Sequence, residues 1–210
     1  MSYLIDRPRH VDDMPEDVYH ADPVAGGSLS ASMAKVLIKP GGPAKLRHQL
    51  DHGAKPKRVF EFGHAAHKLV LGKGLDIRII PDNILASNGA ASTTAAKAFI
   101  ELARTEGAVA LKASEATQVV AMAEALRRTP EALAVMETEH LEHEVSAFTK
   151  DDQTGVWLRC RFDMVDPTLV ADYKTAANAE PGRFARSTML DMGYHVQAAH
   201  YLDVAAALGL

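Results

Sequence analysis

The chain has 210 residues, of which 47% are hydrophobic and 24% are charged, and its formal net charge is −4. This composition predicts a folded α/β domain with one core and excludes an intrinsically disordered chain. No apolar run reaches the roughly 18 residues of a transmembrane helix, and the polar N-terminus lacks the apolar stretch of a signal peptide. The single cysteine, Cys160, excludes an internal disulfide and a four-cysteine iron–sulfur cluster, and we interpret it as a core residue in a cytoplasmic protein.

The first elements are short helices. Residues 1–27 are rich in Pro, Asp and Gly and predict an irregular lead-in. A helix is predicted over Ser32–Ile38, because serines precede it, apolar residues recur at helical spacing and a Pro-Gly-Gly-Pro run ends it. A second short helix is predicted over Ala44–Leu50, and an amphipathic helix over Val59–Leu71.

Basic residues are concentrated in the same region. The segment from Lys35 to Arg58 contains seven Lys or Arg residues and one acid, whereas Glu131 to Glu144 contains five glutamates and no Lys or Arg. Clustered cations neutralise phosphates whatever the net charge of the chain, so residues 28–58, which we call the basic arm, predict a nucleic-acid contact. A solvated surface is the alternative interpretation.

The later elements change in period. A strand and three helices are predicted over Leu75–Ile80, Thr94–Glu106, Ser114–Arg128 and Pro130–Met136. Alternating residues then predict a three-stranded meander over Leu141–Thr149, Val156–Val165 and Leu169–Tyr173. A long helix is predicted over Ser187–Leu208. An α/β sheet usually receives another strand after such a helix, so we expect a C-terminal part beyond Leu210.

The meander carries the residues best suited to chemistry. Asp172 and Lys174 are two apart on a predicted strand, so their side chains leave the same face. The turn at residues 166–168 folds Asp163 back beside Asp172. Two carboxylates suit Mg²⁺ or Mn²⁺, which lowers the pKa of a bound water, and a nearby ammonium stabilises the transition state of phosphodiester hydrolysis. A surface Asp–Lys ion pair is the alternative interpretation.

Short motifs follow one another along the chain. They are Gly63-His64-Ala65-Ala66-His67, Arg161-Phe162-Asp163, Asp172-Tyr173-Lys174-Thr175 and Gln197-Ala198-Ala199-His200-Tyr201, after an N-terminal signature at Ser28–Ser32 and Pro43–Arg47. Their order resembles the RecB-type branch of the PD-(D/E)xK nucleases, and within it the RecE, or exodeoxyribonuclease VIII-like, phage exonucleases. The resemblance covers residues 19–201. It implies a restriction-endonuclease-like core, a mixed sheet flanked by helices, with a helical N-terminal part and a helical central insertion.

The resemblance also implies a metal centre. His67 would be a ligand contributed by a helix, and Asp163 and Asp172 would be the carboxylate ligands. The backbone carbonyl of Tyr173 would complete the metal shell. Glu144 is a further candidate acid, with a solvent-facing strand residue as the alternative. The implied ion is Mg²⁺, for which Mn²⁺ would substitute, and no iron–sulfur cluster is expected.

Other matching residues would handle the substrate. Lys174 would position or activate the attacking water, and Gln197 and Tyr201, one helical turn apart, would hold this lysine or the DNA backbone. Arg161 would bind the scissile phosphate or pair with a carboxylate, and the serines would bind a phosphate or cap a helix. The candidate DNA-binding residues are Ser30, Ser32, Lys45, Arg47 and Arg161. A structural zinc site joining His64 and His67 to His140 and His143 is an alternative use of those histidines.

The expected organisation is one nuclease domain over residues 1–210. Its predicted parts are the lead-in (1–27), the basic arm (28–58), the His-bearing helix (59–72), a mainly helical insertion (75–138), the catalytic meander (141–174) and the Gln-x-x-x-Tyr helix (187–208).

The leading functional hypothesis is a metal-dependent exonuclease of phage recombination, acting in the cytoplasm of a bacterium or a phage-infected host cell. Its partners would be double-stranded DNA with free ends, a single-strand annealing protein and further copies of the chain in a ring, with no membrane contact. The alternatives are an endonuclease on the same core and a catalytically inactive DNA-binding protein.

Overall fold

The computed structural model describes residues 3–53, 58–72 and 75–210, with the backbone alone at residues 58–61. Two basic-arm residues, Lys55 and Lys57, and the side chain of Arg58 lie outside the described residues. The chain forms two compact units, the first from Met1–Lys55 with Glu139–Leu210 and the second from Pro56–Thr138.

Both units combine short strands with helices. The strands of the described residues are β1 (Arg9–Val11), β2 (Leu29–Ser30), β3 (Asp76–Ile79), β4 (Ala108–Leu111), β5 (Glu142–Lys150), β6 (Trp157–Asp166) and β7 (Leu169–Ala171). The helices are α1 (Glu16–His20), α2 (Ala31–Leu37), α3 (Gly42–His52), α4 (Arg58–Leu71), α5 (Thr94–Thr105), α6 (Ala113–Arg127), α7 (Pro130–Met136), α8 (Pro181–Arg183), α9 (Met189–Asp191) and α10 (Tyr194–Leu208). A 3₁₀ turn covers Asp82–Ile84 and a π-helical stretch covers Phe184–Thr188.

A mixed sheet organises the first unit. Its order is β1-β5-β6-β2, and β7 also pairs with β6. The β5–β6 hairpin is antiparallel, whereas β2 runs parallel to β6. Alternate residues of a strand share one face, and on the inner face Val145 and Phe162 pack against Val204 and Ala205 of α10. This is the predicted fold class, a mixed sheet flanked by helices.

Residues 3–27 of the N-terminal lead-in contain a strand and a short helix, which corrects the expectation of an irregular segment. Residues of β1 pair with β5, and α1 follows. The buried side chains of Ile5, Met14 and Tyr19 pack against Phe148 of the sheet. Isolated apolar residues among Pro, Asp and Gly give no periodic pattern, so their burial depends on contacts that are distant in the chain.

A buried ion pair fastens this segment to the sheet. Arg159 on β6 pairs with Asp22, and only 6% and 17% of the two side chains are exposed. Asp22 also accepts hydrogen bonds from the backbone N–H of Ser28, at 2.7 Å, and from its hydroxyl, at 2.9 Å. The pair therefore ties residues of the lead-in to the central strand.

We expect Asp22→Ala to lower the free energy of unfolding by about 3 kcal/mol, because the Arg159 guanidinium stays buried without its partner. Urea denaturation followed by circular dichroism measures the loss. The control is Asp152→Ala, in the exposed β5–β6 turn, which we expect to change stability by less than about 0.5 kcal/mol. An Asp22→Ala variant as stable as the wild type would contradict the role of the pair.

The second unit contains a small parallel sheet that the sequence did not predict as such. Strands β3 and β4 pair in parallel, and α5 packs against β4 through Ile100 and Ala103. β4 has the sequence Ala-Val-Ala-Leu and is buried at all four positions, so it shows no alternation. Such a short apolar run does not reveal its secondary structure by periodicity. The insertion expected to be mainly helical therefore includes a sheet.

Two elements predicted to carry site residues also differ from their predicted bounds. The helix predicted over Ser187–Leu208 is broken, because Gly193 adopts a left-handed backbone with φ of 65° and α10 begins at Tyr194. The last strand of the meander ends at Ala171 rather than Tyr173. Among the described residues, none of the helices has both the length and the apolar character needed to cross a membrane.

Candidate active site

Three acidic residues of the first unit lie side by side on β5, on β6 and directly after β7. In the pairing of β5 with β6, the position between the His143–Met164 and Val145–Phe162 pairs places Glu144 opposite Asp163. In the pairing of β6 with β7, the position after the Met164–Ala171 pair places Asp172 opposite Asp163 on its other side. Directly opposed residues of antiparallel strands lie close together, so the sheet gathers three carboxylates at one end.

Glu144 is held in an unusual conformation. Its φ is +58°, a left-handed backbone that costs roughly 1–2 kcal/mol for a residue other than glycine. Its carboxylate accepts a hydrogen bond of 2.7 Å from Nε of Arg161, and an oxygen of Glu144 lies within 4.8 Å of one from Asp163. Arg161 also donates to the carbonyl of Met14 at 2.9 Å. Of the two roles predicted for Arg161, the pairing with a carboxylate is observed, and contact with DNA stays a prediction.

Asp163 is the central and most enclosed of these acids. Asp163 is 8% exposed, and its Oδ2 accepts a hydrogen bond of 2.7 Å from the backbone N–H of Tyr173. This bond joins β6 to the segment that follows β7. The turn at residues 166–168 does fold Asp163 back toward Asp172, as the sequence predicts.

Asp172 lies at the start of a chain of polar contacts. Lys174 forms an ion pair with its Oδ2, and Nε2 of Gln197 donates to its Oδ1 at 2.9 Å. The Lys174 ammonium also lies 5.5 Å from the centre of the Tyr194 ring, within cation–π range. An isolated surface ion pair would lack these further partners, so Lys174 has a defined position.

Lys35 belongs to this cluster, although the sequence placed it only among the phosphate-tracking cations of the basic arm. Its Nζ donates to Oε1 of Gln197 at 2.8 Å and lies 5.2 Å from the centre of the Tyr194 ring. Burial, and then the positive charge of Lys174, lower the pKa of Lys35. Lys35 and Gln197 are 162 residues apart, and no local pattern could pair them.

Tyr194 is the other site residue that the sequence analysis missed. It lies on α10 three residues before Gln197 and seven before Tyr201, a spacing that places all three on one helix face. This helical spacing is the sequence signal that could have identified Tyr194 as a site residue. A cavity of about 140 Å³ is lined by these three residues and Asp172, with Val170, Ala198 and Leu202. Burial raises the pKa of Tyr201 well above its ordinary value, so its phenol stays protonated.

The other predicted DNA-binding residues have contacts of their own. Ser30 caps α2, since its hydroxyl accepts the N–H of Met33 at 3.4 Å, while Ser32 is exposed. Lys45 and Arg47 are exposed on α3; Lys45 donates to the Pro40 carbonyl at 3.0 Å and Arg47 to Asp51 at 2.9 Å. The structure does not bring these four residues into the cluster around Asp172. Their contact with DNA stays a prediction.

The acids suit a hard divalent cation. Oxygen ligands lie about 2.0–2.6 Å from Mg²⁺ or Ca²⁺, so the separation of the Glu144 and Asp163 oxygens allows both to bind one ion. Grouped carboxylates repel one another, and a cation relieves that repulsion. His67 is half-buried on α4 of the second unit. The ligand roles of His67 and of the Tyr173 carbonyl stay predictions.

Comparison with known proteins identifies the family. Residues 30–207 match the family described as a PDDEXK-like domain of unknown function, DUF3799. No match was found among curated proteins. The match covers β5, β6 and β7 of the mixed sheet, the row of acids, Lys174 and the helix that carries Gln197 and Tyr201. The chain therefore belongs to the family of PDDEXK-like domains of unknown function.

Proposed function

We propose that the chain is a Mg²⁺-dependent exonuclease that hydrolyses phosphodiester bonds from the ends of duplex DNA. Membership in the PDDEXK-like family indicates a nuclease-type function that uses a divalent metal. The observation that carries the proposal is the row of Glu144, Asp163 and Asp172, with Lys174 paired to the last of them. The preference for DNA ends rests on the resemblance to RecE-like exonucleases.

The side chains of the site divide the chemistry among them. A bound divalent cation would lower the pKa of a water and neutralise charge on the phosphate. Glu144, Asp163 and Asp172 supply hard oxygen ligands for such a cation. Lys174 places a cation beside Asp172, where it would orient the attacking water and stabilise negative charge on the phosphate oxygens. Tyr201, protonated at neutral pH, keeps a hydroxyl donor at the same surface.

The partners are part of the proposal. A RecE-like role predicts duplex DNA with free ends as substrate, a single-strand annealing protein that receives the product strand, and a ring of several copies around DNA. It also predicts that Mn²⁺ replaces Mg²⁺, because both accept carboxylate and water ligands. Binding of DNA is expected to weaken with salt, since phosphate contacts release counterions.

Cleavage of matched linear and covalently closed circular duplexes tests the proposal. With Mg²⁺ we expect the linear duplex to be degraded from its ends and the circle to remain intact, with no cleavage in EDTA. A parallel preparation of Lys174→Ala excludes a contaminating nuclease. Cutting of the closed circle would show an endonuclease instead, and binding without any cleavage would show an inactive DNA-binding protein.

A further inference from the structure

Lys35 reaches the site along a path that the fold leaves open. The residue lies on α2, and its aliphatic chain passes the start of α10 at Gly193. A Cβ atom at position 193 would lie 3.2 Å from Cγ and 3.3 Å from Cδ of Lys35, which is closer than most side chains tolerate. Gly193 therefore has two roles. It adopts the left-handed backbone before α10, and its lack of a side chain leaves room for Lys35.

The contacts of Gln197 favour one orientation of its amide. A lysine ammonium only donates hydrogen bonds and an ionised carboxylate only accepts them. The amide oxygen faces Lys35 at 2.8 Å, and the amide nitrogen faces Asp172 at 2.9 Å. A flipped amide would place its N–H groups against the ammonium and its oxygen against the carboxylate, and both contacts would be lost.

We propose that Lys35 is a positioning residue of the site, which fixes the Gln197 amide so that its N–H donates to Asp172. The importance of this for catalysis rests on the proposed nuclease function, whereas the orientation of the amide does not. Asp172 is then held between Gln197 and Lys174, one on each carboxylate oxygen. Lys35 acts through the amide, unlike a cation of the basic arm that would contact DNA phosphates directly.

Removal of the charge at position 35 is therefore expected to weaken the hydrogen bond that holds the Asp172 carboxylate in place. In Lys35→Met the aliphatic chain is retained and the donor is lost. The amide can then rotate, and its hold on the carboxylate weakens. Partners that orient metal ligands typically contribute about 10–100-fold to metal affinity, so we expect Mn²⁺ to bind about tenfold more weakly. Cleavage should fall through kcat, with KM for DNA nearly unchanged.

The direct test is the NMR signal of the Gln197 side-chain amide in the full chain, which needs neither metal nor cleavage. In the wild type we expect NH₂ proton shifts that differ from those of a free glutamine, with the proton bound to Asp172 moved downfield. In Lys35→Met they should move toward the values of a free glutamine, and in Lys35→Arg they should stay near those of the wild type. Unchanged amide shifts in Lys35→Met would overturn the proposal, whether or not the protein cuts DNA.

A double-mutant cycle tests the same inference through the metal. Calorimetric titration with Mn²⁺ compares Lys35→Met, Gln197→Ala and the double variant, with Lys150→Met at the far end of β5 as the control. We expect the double variant to bind no more weakly than Gln197→Ala alone, because Lys35 acts through that residue. Independent losses that multiply in the double variant would overturn the proposal. So would a Lys35→Met variant with wild-type Mn²⁺ affinity and a raised, salt-dependent KM, since that behaviour belongs to a phosphate contact.

Discussion

Replacing Lys174 with alanine is expected to lower kcat for DNA cleavage about a thousandfold, the usual contribution of a group that transfers protons or stabilises charge in a transition state. Metal binding should survive, because the acids that would bind the ion remain. The affinity can even rise, since the ammonium of Lys174 occupies Oδ2 of Asp172 in the structure and competes with an ion for that oxygen. Loss of activity with retained metal affinity is thus the signature of this residue.

Single-turnover cleavage of an end-labelled linear duplex, together with Mn²⁺ calorimetry, measures the two quantities. The matched control is Lys150→Ala, since Lys150 is exposed at the end of β5 beside the hairpin turn. It should cleave at the wild-type rate. Wild-type activity in Lys174→Ala would remove this lysine from the mechanism, and a large loss of Mn²⁺ affinity would show that it organises the acids instead.

The second large effect is expected for Asp172→Ala, which should lose metal affinity and cleavage together. Partners of metal ligands contribute up to about a hundredfold in affinity, so loss of a ligand itself should reach or exceed that figure. The substitution also leaves Lys174 and Gln197 without their shared acceptor. The metal affinity and the cleavage rate should therefore both fall in Asp172→Ala.

Asp172→Asn separates charge from shape, because the amide keeps the size of the carboxylate. We expect it to fold like the wild type and still to bind Mn²⁺ poorly. Asp152→Ala, in the exposed hairpin turn, is the control for nonspecific loss of negative charge. A Mn²⁺ titration that does not change in Asp172→Ala would exclude Asp172 as a ligand, and urea denaturation would show whether an inactive variant is unfolded.

The parts of the fold that the sequence predicted well are those with a local, repeated pattern. Alternating residues predicted the β5–β6 hairpin to within one residue at all four strand ends, and Pro130 marked the start of α7. The turn at residues 166–168 predicted that Asp163 lies beside Asp172. In contrast, β4 is too short to show a period, and the burial of Tyr19 depends on Phe148, far along the chain.

The site shows the same division. Asp172 and Lys174 were found by their spacing, and Gln197 and Tyr201 by the resemblance to the nuclease family. The structure brings Gln197 and Lys174 onto the two oxygens of the Asp172 carboxylate. The inclusion of Lys35 follows from the packing of α2 beside α10, which is a tertiary contact without a sequence signature. A basic run predicts positive charge but does not say which of its members faces inward.

The left-handed backbone of Glu144 has a consequence for directed evolution. Glycine adopts this conformation without the steric penalty, so Glu144→Gly removes strain, although it also removes the carboxylate and its contact with Arg161. Where the relief of strain outweighs the lost contact, selection for heat resistance alone would enrich glycine at this position and discard an acid of the proposed metal centre. A screen for thermostable variants should therefore include an assay of cleavage. Thermal stability favours glycine at position 144, whereas cleavage favours glutamate.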